Sequence, residues 1–245
     1  MDKKHKNGLR TLLELVMAAL VPGALIWYAL HGTERALPVT MIIVVAAVAF
    51  FLLQFESSRP RSRDIVPVVV MSVIAALGRA AFVALPGFKP MSAVVIVTGL
   101  SFGPQSGFLC GALGALCSNM LMGQGMWTPW QMYAWGMMGY LAGLWRGASF
   151  LKSRTGVMIY GGAAALAFGW LMNLWFVIGY VRPVTPATVA GAYLASAPFD
   201  LSHAASTVIF LGLILEPWRK KLLRIRRKYG LGEGEESQEN PETAH

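Results

Sequence analysis

The feature that most constrains this chain is the recurrence of unbroken apolar runs, such as MIIVVAAVAFFLL (41–53) and SAVVIVTGL (92–100). A helix of about 20 apolar residues crosses the hydrocarbon layer of a bilayer. Only helices and closed barrels satisfy every backbone polar group there, and the alternating pattern of barrel strands is absent. The chain therefore reads as an all-α integral membrane protein. Charge content agrees: 13% of the 245 residues are charged, against about 25% in a soluble domain.

Eight spans are expected, at about 11–31, 38–55, 65–86, 90–103, 106–122, 129–145, 157–181 and 188–216. The net charge of +9 is distributed unevenly along them. Lys3, Lys4, Lys6 and Arg10 precede the first span. Arg59, Arg61 and Arg63 follow the second, and Arg146, Lys152 and Arg154 follow the sixth. Seven more, Arg219 to Lys228, follow the last. The alternate loops hold only Arg35, Lys89 and Arg182. This is a positive-inside pattern. It predicts an even number of spans with both termini cytoplasmic, and it explains the basic charge by the bilayer, with no nucleic-acid partner. The first span is too long for a signal peptide and lacks a convincing cleavage site, so a retained anchor is expected.

Three segments follow: a basic tail with two accessory transmembrane helices (1–58), a six-helix core (59–218), and a basic then acidic cytoplasmic tail (219–245). The end of that tail, GEGEESQENPETAH (232–245), has the composition of a disordered segment. The core holds nearly all the intramembrane polar residues, Arg79, Thr98, Asn119, Asn173, Asp200 and His203, and such groups face a bundle interior or a wet cavity. The 90–103 segment is too short to span alone and must be buried among neighbours. Cys110 and Cys117 lie too far apart on one helix for a disulfide.

No HExxH, GxSxG, Walker A or dinucleotide motif is present, and Asp200 is the only carboxylate well inside the core. An enzyme therefore has no positive support, and no cofactor is expected. Arg79 lies about two turns below the outer surface, while Asp200 and His203 share a helix face. Either Arg79 and Asp200 pair internally, or one or both meet a transported molecule. A proton-coupled secondary transporter using Arg79, Asp200 and His203 is the alternative. The stretch GQGMWTPWQMYAW (123–135) carries two signals. Thr128, Pro129 and Gln131 have the spacing of a capping box at a helix start. Gly123 to Trp127 and Trp130 suit the rim of a ligand pocket. Ser72, Ala76, Ala80 and Ala84 form a small-residue stripe that serves either internal packing or docking of a separate subunit.

Taken together, AALGRAAFVALPGFKPMSAVVIVTGLSFGPQSGFLCGALGALCSN (75–119), GQGMWTPWQMYAWGMMGYLAG (123–143) and PFDLSHAASTVIF (198–210) resemble the substrate-binding (S) components of energy-coupling factor (ECF) vitamin transporters. The resemblance covers most of the core, and typical members lack the two N-terminal spans. It implies a six-helix S component in the cell membrane of a prokaryote. Its partners would be a transmembrane subunit, EcfT, and two ATP-binding subunits that hydrolyse ATP. The family's AxxxA docking motif falls on Ala76 and Ala80, with Ser72 on the same stripe. The expected substrate-binding residues are Arg79, Lys89, Gln124, Trp127, Trp130, Gln131, Asn173, Asp200 and His203, closed over by loops 86–90, 122–129 and 182–188. The subfamily link suggests cobalamin or another corrinoid first and a planar vitamin such as riboflavin second. Nickel or cobalt as free ions is disfavoured, since no ligand cluster is present.

Overall fold

The computed structural model describes residues 3–31, 36–57 and 61–230, with side chains from residue 12 onward. Nine helices are found there: α1 (Lys3–His31), α2 (Ala36–Ser57), α3 (Ser62–Ala81), α4 (Met91–Phe102), α5 (Pro104–Met122), α6 (Thr128–Leu144), α7 (Ser149–Lys152), α8 (Arg154–Tyr180) and α9 (Pro186–Tyr229). The protein is an all-α membrane protein, as the apolar runs predict. Five of the helices, α1, α2, α3, α8 and α9, are long and apolar enough to cross a bilayer. The acidic end, 231–245, lies outside the described residues.

α4 is the central post. It has 12 residues, and every one from Met91 to Ser101 is buried. At 1.5 Å per residue it reaches only about 18 Å, so its ends cannot meet water on both sides and neighbours must cover it. α3, α5, α6, α8 and α9 surround it, which is the environment its length demands.

Glycine brings three of these helices together. A Cβ added at Gly99 or Gly107 would lie 2.1 or 2.3 Å from the Gly139 carbonyl oxygen, and one at Gly111 would lie 2.3 Å from that of Trp135. α4, α5 and α6 therefore meet backbone to backbone, the approach that small residues permit in a membrane bundle. Cys110 and Cys117 are both free.

α1 and α2 form a hairpin laid over α5, α6 and α8. Its seam buries Val21, Leu25, Val48 and Phe51 against Phe108, Trp130, Tyr133, Tyr140 and Trp175. Phe51 stacks on Phe108 at 4.4 Å between centroids. The seam also has polar ties. Tyr133 donates to the Ala18 carbonyl. Buried Glu14 accepts from Tyr140 Oη at 2.5 Å and Gln105 Nε2 at 3.2 Å.

Three boundaries differ from the sequence expectation. The first helix begins at Lys3 rather than near 11. The third span ends at Ala81 rather than near 86, and 82–90 is a loop turning through Pro86 and Gly87, whose φ is +70°. The last span does not end near 216. α9 runs 44 residues, to a left-handed Gly230 cap, or about 66 Å. Pro217 removes one backbone bond, but Leu215 and Leu222 on either side of it are buried in the core and hold the helix together. The basic stretch from Arg219 is thus helical rather than a tail. Its Arg226, Arg227 and Lys228 lie in the last turn, where cations suit the helix dipole.

Candidate functional site

A cavity of about 200 Å³ opens between the end of α3, the starts of α4 and α6 and the middle turns of α8 and α9. Its polar lining comes from Arg79, Lys89, Ser92, Gln131, Asn173, Ser196, Asp200 and His203, and its apolar lining includes Met91, Trp135, Phe168, Met172 and Phe199.

Arg79 is buried near the end of α3. Its Nη1 donates to Ser118 Oγ and Asn119 Oδ1, both at 2.6 Å, and its Nη2 to Gln131 Oε1 at 3.4 Å. The guanidinium carbon lies 4.8 Å from the centre of the Trp135 ring, a cation–π contact. Asn119 in turn donates to Gln131 Oε1 at 2.9 Å and Thr128 Oγ1 at 3.0 Å. One network therefore ties α3, α5 and α6 around a single positive charge.

That network dismantles the expected capping box. Trp127, not Thr128, stands at the N-cap of α6, with no side-chain cap bond. Thr128 Oγ1 donates to Gln124 Oε1 at 2.8 Å instead. The reason is competition: a buried guanidinium and an asparagine amide offer Gln131 stronger partners than a backbone N–H at the helix end.

A second polar group forms on α8 and α9. Asp200 Oδ2 accepts from Asn173 Nδ2 at 3.0 Å and Ser196 Oγ at 3.2 Å. Gly169 lets the carboxylate close in, since a Cβ there would lie 2.2 Å from Asp200 Oδ1. His203 Nε2 is 2.7 Å from Ser92 Oγ, which also accepts from Trp135 Nε1 at 3.0 Å. Phe168 packs edge-on to His203 at 5.1 Å and lies 4.3 Å from Trp135. The Lys89 amine, in the 82–90 loop, is held below its ordinary pKa range by burial first and by the Arg79 charge second.

Arg79 and Asp200 line one cavity but do not pair. Arg79, Asp200 and His203 share no direct hydrogen bond with one another. Among the described residues, no group of three His, Cys, Asp or Glu could hold a metal ion.

Of the nine residues expected to bind substrate, the cavity brings together Arg79, Lys89, Gln131, Asn173, Asp200 and His203. It does not include Gln124, Trp127 or Trp130. Gln124 braces Thr128 and reaches the Leu116 carbonyl. Trp127 is 39% exposed and folds over Gly125. Trp130 is wholly buried in the hairpin seam, its indole N–H without a partner among the described residues. The spacing of α6 explains the reversal, because Gln131 and Trp135 share one face while Trp130, Tyr133 and Met137 share another. Sequence reasoning missed Ser92, Trp135, Phe168, Met172, Ser196 and Phe199. A helical-turn rule would have found part of this set: Trp135 lies four residues from Gln131, Ser196 four from Asp200, and Phe199 four from His203.

The part of the small-residue stripe that lies on α3 also turns inward, while Ala84 falls in the 82–90 loop and is exposed. Ser72 and Ala76 are buried and Ala80 is half-buried, with Ser72 and Ala75 beside Gly114 of α5. The outward face carries Val69, Val73 and Leu77 instead.

A helical membrane bundle that encloses a small, mostly apolar cavity with a few convergent polar groups has the architecture of a small-molecule binding protein. The model of the family described as ECF-type riboflavin transporter, S component, matches residues 62–220, from the start of α3 into α9. The chain belongs to that family, and it is a membrane-embedded substrate-binding subunit of an ECF transporter. The hairpin α1–α2 precedes the matched segment. No curated protein and no solved structure matches the chain.

Proposed function

We propose that the cavity captures a flat heteroaromatic vitamin of the riboflavin kind, for import driven by ATP hydrolysis in partner subunits. The observation that carries this reading is the wall of the cavity. Trp135 and Phe168, 4.3 Å apart, supply aromatic surface, and Arg79, Asn173 and Asp200 supply polar groups around it. The family description, which names riboflavin, supports the same choice. A corrinoid finds no such support. The cavity of about 200 Å³ falls below the roughly 300–1,000 Å³ usual for drug-sized ligands, so a flavin already requires it to widen and a cobalamin requires far more. His203 Nε2 is also engaged with Ser92 rather than free to meet cobalt.

The uneven distribution of Lys and Arg supports a multi-pass cell-membrane protein with both termini cytoplasmic. With Ser72 and Ala76 buried, the surface left on α3 for the EcfT subunit is the exposed apolar row Val69, Val73 and Leu77. Two ATP-binding subunits complete the importer.

The test is binding by the purified protein in detergent. Riboflavin should quench tryptophan fluorescence, and mass spectrometry of small molecules retained through purification should return a flavin or a ligand of similar size. Retention of a corrinoid, with no response to riboflavin, would overturn the reading. Reconstitution decides the transport mode: uptake should require EcfT, the ATP-binding subunits and ATP. Gradient-driven uptake by this chain alone would replace the importer with a secondary transporter.

A further inference from the structure

The cavity is not evenly charged. Two cations stand at its α3 end, Arg79 and Lys89. Arg79 directs its donors to neutral oxygens of Ser118, Asn119 and Gln131, so no carboxylate offsets its charge. Lys89 is fixed through its backbone, which donates to Ser206 Oγ at 2.8 Å and accepts from it at 3.0 Å. Its ammonium bonds to no described residue.

On α8 and α9 the situation is reversed. Asp200 is only 5% exposed, yet no cation pairs with it among the described residues. Asn173 and Ser196 both donate to Oδ2, and Oδ1, resting against Gly169, receives no hydrogen bond from a described residue. Two cationic side chains and one carboxylate thus line one small, mostly apolar cavity beside His203, with no ion pair among them. An unpaired charge away from water is costly. A guest of complementary polarity relieves that cost at both ends, and Trp135 and Phe168 leave an aromatic wall between them.

We propose that the ligand is a heteroaromatic acid: its phosphate or carboxylate lies between Lys89 and Arg79, and a ring N–H or hydroxyl donates to Asp200. This rests on the vitamin-capture reading above and names the substrate class of that site. Lys89 is then the residue that separates an acidic ligand from its neutral parent. Asp200 serves both forms alike, because the donor it accepts is common to them.

The probes are riboflavin and flavin mononucleotide, which differ by one phosphate, titrated against wild type, Lys89→Met and Asp200→Asn with thermal unfolding run on each. Wild type should bind the mononucleotide at least about tenfold more tightly, the scale of one charge-assisted hydrogen bond. Lys89→Met should cut that preference several-fold, weakening the mononucleotide by a clearly larger factor than riboflavin. Asp200→Asn should weaken both ligands in the same proportion. Equal or tighter binding of riboflavin by wild type would overturn the proposal, as would a Lys89→Met variant that weakens both ligands alike. If neither flavin binds a folded protein, the flavin reading fails, and nucleosides paired with their 5′-monophosphates decide the charge question. Stabilisation by the monophosphates alone, cut in Lys89→Met, sustains the acid assignment. No stabilisation, or equal stabilisation by the nucleosides, removes it.

Discussion

The two long sides of α6 use the same kinds of residue for opposite purposes. Toward the hairpin, Trp130, Tyr133, Met137 and Tyr140 fill a buried seam with Phe51, Phe108 and Trp175. Toward the cavity, Gln131 and Trp135 touch the Arg79 guanidinium, and Trp135 donates to Ser92. Trp130 lacks any partner for its indole N–H among the described residues, whereas the Trp135 indole has one. An aromatic buried for its bulk and an aromatic held in place by polar contacts are therefore different objects, although they lie five residues apart. The first contributes to stability, and the second gives a surface of fixed orientation on which a ligand can rest.

Substitutions that touch one side at a time sharpen this contrast. Trp130→Ala should have the largest effect, destabilising by about 3–5 kcal/mol through the void it leaves in the seam. Thermal unfolding in detergent measures that loss, while the fraction still folded should bind ligand normally. A normal melting temperature with lost binding would reverse the assignment of the two sides. Gly169→Ala comes next, because the new methyl group would meet Asp200 Oδ1 at 2.2 Å. Displacing the carboxylate should cost about 1–3 kcal/mol, typical of overpacking, and should appear as weaker ligand binding in a fluorescence titration. Trp135→Leu should lower ligand affinity by roughly 0.5–1.5 kcal/mol, the worth of an aromatic contact beyond area, with a smaller change in melting temperature than Trp130→Ala. Trp127→Ala should change stability by less than about 0.5 kcal/mol, as for other surface substitutions, and leave binding intact. A marked loss of affinity there would return the 123–127 loop to the site.

The same contrast shows what was legible in the sequence. Helix positions followed from apolar runs because the bilayer restricts the chain to few backbone solutions, and each long helix overlaps an expected span although α1, α3 and α9 differ from it at one end. The burial of α4 was legible from its length alone. Arg79, Asn173, Asp200 and His203 stood out because polar groups are rare in hydrocarbon and collect around cavities. Which tryptophan faces the cavity was not legible. α6 is buried nearly all round, so no amphipathic stripe marks a side, and Trp130 and Trp135 look alike in composition. Gln131 was misassigned for a related reason. Its local role at a helix start is encoded nearby, whereas its actual partners, Arg79 and Asn119, lie 52 and 12 residues away. The reach of α9 was hidden by Pro217, since the contacts of Leu215 and Leu222 that outweigh the lost backbone bond exist only in the packed bundle.

The 82–90 loop carries a last consequence. Its Pro86 carbonyl accepts from Ser202, its Lys89 backbone exchanges two bonds with Ser206, and Gly87 packs against the Phe199 carbonyl. All three partners sit on α9, so the loop is not a flap that swings by itself. The loop and the adjoining turns of α9 are stapled into one piece beside the cavity. Lys89 and Asp200 therefore keep a fixed spacing, set by α9, on which a guest of matching length can seat.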